Sequence, residues 1–173
     1  GHEHGHCNQH SINWSSMTEV SVNFFSQLVL EEVINTRRNI TDETRNREAS
    51  QMSNPAESIN TVLNDDTPFY ELGGWPKWSF NYYSFYIYYH MLDIDPDFYM
   101  DMFEDLRHNG LGENVGKRHL NWYKRVCDNT KTDFTEHFEK FGYFIPLDEQ
   151  GNEYGNYRYY ITQEMVDEAK TYV

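Results

Sequence analysis

"HEHGHCNQHSINWSSMTEVSVNFF" fills residues 2–25, and whether its histidines stand on a helix decides how the rest of the chain is read. Residues four apart share one helical face, so His2 and His6 can both present ring nitrogens to one divalent ion. Glu3, one position on from His2, then reaches a water beside that ion. A bound divalent metal lowers the pKa of water from roughly 16 to about 7, and a neighbouring carboxylate takes the proton as oxygen attacks a carbonyl. This is the chemistry of peptide hydrolysis. A third ligand from a following helix would complete the set, and Glu19 stands thirteen positions past His6, where a second helical pattern begins. Asn23 lies one turn further on the same face and is expected to support the Glu19 carboxylate or a ligand histidine. The competing reading is a solvated, loosely metal-binding tract, because residues 1–10 hold four of the chain's eight histidines. His4 sits on another face, and it, His10, His90, His108, His119 and His137 are read as bystanders.

The 173 residues suit one domain or a large piece of one, and 11 Phe, 14 Tyr and 4 Trp are enough to bury a core. With 14 Lys and Arg against 28 Asp and Glu, the formal charge of -14 argues against a nucleic-acid partner, which needs a basic stripe. No apolar run approaches the ~20 residues of a membrane-spanning helix. The two cysteines, Cys7 and Cys127, form no CxxC motif, and each is expected as a buried thiol.

Periodicity predicts a mainly α chain. In a helix over 19–35, Val22, Phe25, Val29 and Val33 form one apolar stripe and Val20, Phe24 and Leu28 an adjoining one, with Thr18 as cap. Residues 36–54 are polar and read as an exposed loop or a frayed helix end, and Pro55 opens a short helix to about 63. Residues 76–92 are aromatic on every side, as in a central helix. The next helix takes Asp95 as cap, Pro96 at its first position and Gly110 just past its end. Further helices are expected over 113–127, from Thr132 or Asp133 to Gly142, and from 162 to the last residue. Between the last two, aromatic and β-branched runs flank a turn-rich "DEQGNEYGN" at 148–156, which signals a hairpin.

The first 33 residues resemble the core of the M60-like, or enhancin-like, metallopeptidases, whose pattern is HExxH, a gap, then Glu. The similarity continues through "WPKWSFNYYSFYIYYHMLDIDPDFYMDMFEDLR", "DFTEHFEKFGYFIPLD" and "ITQEMVDEAK", so it covers nearly the whole chain. It implies that His2, His6 and Glu19 hold Zn²⁺ and that Glu3 is the general base. It further implies secreted or cell-surface endopeptidases, many acting on mucin-like O-glycosylated proteins. Such a zincin carries a β-sheet before its HExxH helix, and this chain starts one residue before His2. The chain is therefore expected to be the helical C-terminal half of the catalytic domain, with weak or no activity alone. It should have an apolar surface where that sheet docks, exposed or covered by a second copy.

Tyr82, Tyr83 and Tyr86 are candidates for a cleft electrophile, with Tyr82 also taken as a substrate contact. Trp75 and Trp78, beside "GG", are candidates to stack on a sugar. Core packing is the competing reading for all five. Two other functions stand beside the endopeptidase: a catalytically dead relative that binds glycan or protein, and a helical interaction domain with a fortuitous histidine-rich end.

Overall fold

Residues 74–91 wind through the middle of the protein as one continuous helix, α3, made of an α-helical segment Gly74–Trp78 and wide π-type turns at Ser79–Tyr83 and Tyr86–Met91. Its aromatic side chains explain the placement. Trp78, Phe80, Tyr82, Tyr83, Phe85, Tyr86 and Tyr89 are all buried, and fully burying a side chain of this size contributes roughly 1.5–3 kcal/mol. The structure is a computed structural model and describes residues 2–9, 12–33, 62–63 and 67–172; the expected loop at 36–54, most of the expected helix at 55–63 and His10 lie outside the described residues.

Around α3 the protein is mainly helical with one late hairpin, as the periodicity predicts. Helix α1 spans His2–His6, and α2 spans Thr18–Leu28, continuing as a π-type turn over Val29–Val33. Helix α4 spans Phe98–Asn109, α5 Val115–Thr130 and α6 Thr135–Lys140. Strands β1, Leu147–Asn152, and β2, Asn156–Ile161, pair antiparallel, and α7 closes over Gln163–Thr171. In this arrangement α2 packs between α1 and α3, while α5 carries β2 on one side and meets α4 and α7 elsewhere. Ring contacts tie the layers together: Phe24 of α2 lies 4.2 Å from Tyr99 of α4, and Phe80 of α3 stacks at 3.8 Å on Phe141.

Several local expectations are corrected. Thr18 does not cap α2: the cap position is Met17, and the Thr18 hydroxyl donates to Glu153 instead. Of the two stripes on α2, Val20, Val22 and Phe24 are buried, but Val29 and Val33, in the π-type turn at the helix end, face solvent. Helix α4 starts at Phe98 rather than Pro96, since residues 95–97 form a preceding turn with the Phe98 amide bonded to the Asp95 carbonyl. The hairpin turn is tighter than expected. Register pairs Leu147 with Ile161 and Asn152 with Asn156, so β1 runs through the polar "LDEQGN" and only Glu153, Tyr154 and Gly155 turn the chain. Tyr143 and Phe144, expected in the first strand, are buried outside it, where the Tyr143 ring stacks on His119 at 3.7 Å.

Trp78 and Tyr82 are corrected as well. Trp78 is 2% exposed and stacks on Tyr83 at 4.4 Å, and Tyr82 is fully buried with its hydroxyl donating to the Ile12 carbonyl, so the core-packing reading holds for both. The same burial removes Tyr83 and Tyr86 as cleft electrophiles. Trp75 lies in the first turn of α3, and its side chain is outside those described. Cys127 is buried as expected, but Cys7 is exposed, because α1 turns Gly5 rather than Cys7 towards its neighbour. No helix among the described residues is long and apolar enough to cross a membrane.

Candidate metal centre

Gly5 is the residue on which the site is built. It is the buried residue of α1, and a Cβ there would stand 2.6 Å from the Val22 Cγ2 and 2.8 Å from the Val22 carbonyl oxygen. Only glycine lets α1 lie this close to α2. The close crossing brings two helical faces together: His2 and His6 from α1, and Glu19 from the first turn of α2. One ligand atom of each lies within 4.8 Å of the others.

The connection between the two helices is pinned at several points. Ile12, Trp14 and Met17 are buried. The Ile12 carbonyl accepts from Tyr82, the Asn13 carbonyl accepts from Arg118 at 3.2 Å, and the Trp14 indole N–H donates to the Tyr159 hydroxyl at 3.1 Å. The chain between His6 and Glu19 therefore has a fixed path. Its fixed path sets the distances at the site.

His2 Nε2 stands 3.2 Å from Glu19 Oε2, and His6 Nε2 stands 3.8 Å from Glu19 Oε1. The two imidazoles meet edge to face with centroids 4.9 Å apart. Side-chain exposures of 41% for His2, 26% for His6 and 47% for Glu19 leave the cluster open to solvent on one side. A hydrogen bond from Tyr154, then the nearby His6 and His2, hold the Glu19 carboxyl below its ordinary pKa, so it is an anion. Two imidazole nitrogens and one carboxylate oxygen are a donor set of the kind that holds a divalent metal ion with a position left open.

Gln9 completes the support of His6 and was not singled out from the sequence. Its buried amide nitrogen lies 3.0 Å from His6 Nδ1, and its oxygen accepts from the Ser21 hydroxyl at 3.1 Å. For His6 Nε2 to offer its lone pair to a metal, Nδ1 must carry the proton, and a half-turn of the amide presents the Gln9 oxygen to it. The Ser21 hydroxyl serves either orientation. The spacing of three between His6 and Gln9 on a helical turn was the available signal.

Glu3 is exposed on α1 between the two histidines, and its charge, after those of Glu19 and Glu153, helps to push the Tyr154 hydroxyl pKa up. Asn23 does not act as expected. Its amide donates to the backbone carbonyl of Glu19 at 2.7 Å, one turn back, rather than to the carboxylate. The carboxylate is held instead by Tyr154, whose hydroxyl donates to Glu19 Oε1 from 135 residues away. His4 lies off the ligand face and is exposed, His119 is buried and His137 partly buried, His90 bonds to Glu32 on another element, and His108 bonds to Glu104 one turn back on its own helix.

Comparison with known proteins places the chain among metallopeptidases. Residues 1–142 match the family described as peptidase M60, enhancin and enhancin-like. Among solved structures, a metallopeptidase in complex with Tn antigen is 27% identical, with a TM-score of 0.80 over 99% of this chain and 31% of that one. A metallopeptidase from Bacteroides thetaiotaomicron is 26% identical, also with a TM-score of 0.80, over 99% of this chain and 28% of its own. The chain thus spans under a third of the length of the solved metallopeptidases it matches. No curated protein matches it.

Proposed function

Because the chain belongs to the peptidase M60, enhancin and enhancin-like family, we propose that it carries the catalytic metal centre of a zinc-dependent endopeptidase. The observation that carries the proposal is the convergence of His2, His6 and Glu19 within 4.8 Å from two helices that Gly5 allows to touch. Zinc held there supplies Lewis acidity that polarises a peptide carbonyl and makes water acidic enough to lose a proton near neutral pH. The chain's own residues do the rest. His2, His6 and Glu19 bind the ion, and Gln9 fixes the imidazole of His6. Glu3, next to His2 on the same helix, accepts the proton of the attacking water and returns it to the nitrogen of the departing amine.

A glycoprotein substrate, mucin-like and O-glycosylated, is the partner this reading favours. It is supported by the solved metallopeptidase of the same fold that binds Tn antigen. Such a substrate lies outside cells, so secretion or display at the cell surface goes with it. The acidic balance of the chain, formal charge -14, is consistent with a partner other than nucleic acid.

The test is cleavage of an O-glycosylated protein by the intact protein, compared with the same substrate stripped of its glycans. Glu3→Gln is expected to lower turnover by at least about 100-fold while zinc content stays at one equivalent. His2→Ala is expected to lose both. Full cleavage by Glu3→Gln would remove Glu3 as the base, and an intact protein that binds zinc and glycan yet cleaves nothing would favour a binding module.

A further inference from the structure

We infer that Tyr154, at the tip of the β1–β2 hairpin, is a positioning residue for the metal-ligating carboxylate: it holds Glu19 Oε1 and leaves Oε2 turned to His2 for the ion. The inference rests on the metal-site reading above and adds the device that sets the carboxylate. Glu19 is on the first turn of a helix and half exposed, so packing restrains its three side-chain torsions only in part. A ligand that must be ordered as the metal arrives binds it less tightly than one ordered beforehand. The Tyr154 hydroxyl provides that order from outside the helix.

The tyrosine is placed at a cost that burial does not repay. It is 82% exposed, and its φ of 56° is a left-handed conformation that residues with side chains adopt rarely. The segment it touches carries a matching irregularity at Ser16, φ 77°. Both strained residues lie where the hairpin tip reaches the start of α2, Ser16 bonded to Glu153 and Tyr154 to Glu19. There the Glu153 carboxylate accepts from the Ser16 amide and, at 3.0 Å, from the Thr18 hydroxyl, so two adjacent tip residues grip the four residues that end in Glu19. Strain concentrated at such a contact marks a geometry that the rest of the structure enforces.

The root of the hairpin is equally fixed. The buried Tyr159 hydroxyl accepts from the Trp14 indole and donates to His119 Nδ1, whose Nε2–H donates to the Tyr143 carbonyl at 2.7 Å. Every polar atom in that chain has a partner, and it joins β2 to α5 and to the segment leading into α2. Tip and root therefore hold the hairpin against the same stretch, residues 14–19, which leaves Tyr154 little freedom to leave Glu19.

Tyr154→Phe removes one exposed oxygen and nothing from the core, so the intact protein should keep its unfolding temperature. Two readouts test the inference: zinc affinity by competition with a chromophoric chelator, and the visible d–d spectrum of the Co²⁺-substituted protein. Loss of the hydroxyl is expected to weaken zinc binding by about 10- to 100-fold and to change the cobalt spectrum, because the freed Oε1 can then join the coordination sphere. In a Glu19→Ala background the same change should have no further effect. Zinc affinity within about twofold of the unaltered protein would overturn the inference. So would a loss of turnover with affinity and spectrum unchanged, which would put the phenol on the substrate. If the unaltered protein binds no zinc that depends on Glu19, the metal-site reading itself fails, a result distinct from both.

Discussion

One hydrogen atom at Gly5 stands where any other residue would put a carbon into Val22. Gly5→Ala must push α1 away from α2 by enough to relieve contacts of 2.6 and 2.8 Å, one of them to backbone. Overpacking of this kind typically costs about 1–3 kcal/mol. Thermal unfolding should show that loss, and a zinc titration should show a weaker site, because His2 and His6 move with α1 while Glu19 does not. The proposed ligand trio was legible in the sequence because helical spacing brings positions 2 and 6 to one face, while Glu19 followed from the resemblance to the HExxH, gap, Glu pattern. Gln9 and Tyr154 were not legible to the same degree. The first depends on an amide tucked behind an imidazole, the second on a register between strands that no local pattern reports. The aromatic residues of α3 were legible as core through their density, which does not by itself separate a buried Trp78 or Tyr82 from an exposed one.

At the scale of elements, the hairpin is the part whose role exceeds its size. Gly116 on α5 lies beneath it, and a Cβ there would come within 2.0 Å of the Tyr160 carbonyl oxygen and 3.2 Å of Ile161 Cγ1. Gly116→Ala is therefore expected to lift β2 from α5 and to destabilise the protein by on the order of 2–4 kcal/mol, read as a lower urea midpoint. It should also loosen the tip from Glu19, so zinc affinity falls in a variant whose substitution touches no ligand. Unchanged stability would show that β2 does not seat on α5 as described. The helices expected from 113 and from 162 begin at Val115 and Gln163, each behind a capping side chain that the sequence reading did not name. Thr162 caps α7 by accepting from the Met165 amide, and Asn114 caps α5 by accepting from Lys117. Thr18 and Asp95 were misread because each has the right residue type for a cap, while its hydroxyl or turn is engaged elsewhere.

Across the whole molecule, acid should act through two histidines, one buried and one partly buried. Burial holds both neutral: His119, bonded to Tyr159 and Tyr143, is lowered from 6.5 to about 3, and His137 to about 4. The unfolded chain takes up protons near pH 6.5, before the folded one can, so stability is full above that pH and falls as pH drops towards 4 and then 3. At pH 4.5 the His119 contribution alone is on the order of 2–3 kcal/mol, so urea midpoints at pH 7 and 4.5 should differ clearly; a flat profile would mean that His119 is not held neutral in the fold. The central claim is that His2, His6 and Glu19 form one metal site rather than the end of a histidine-rich tract, and a zinc titration of the intact protein beside its Glu19→Ala variant tests it most directly. The account predicts one tightly bound equivalent that the variant loses or binds at least about 100-fold more weakly. Equal binding by the two proteins would contradict it, because a loose tract of histidines needs no carboxylate from α2.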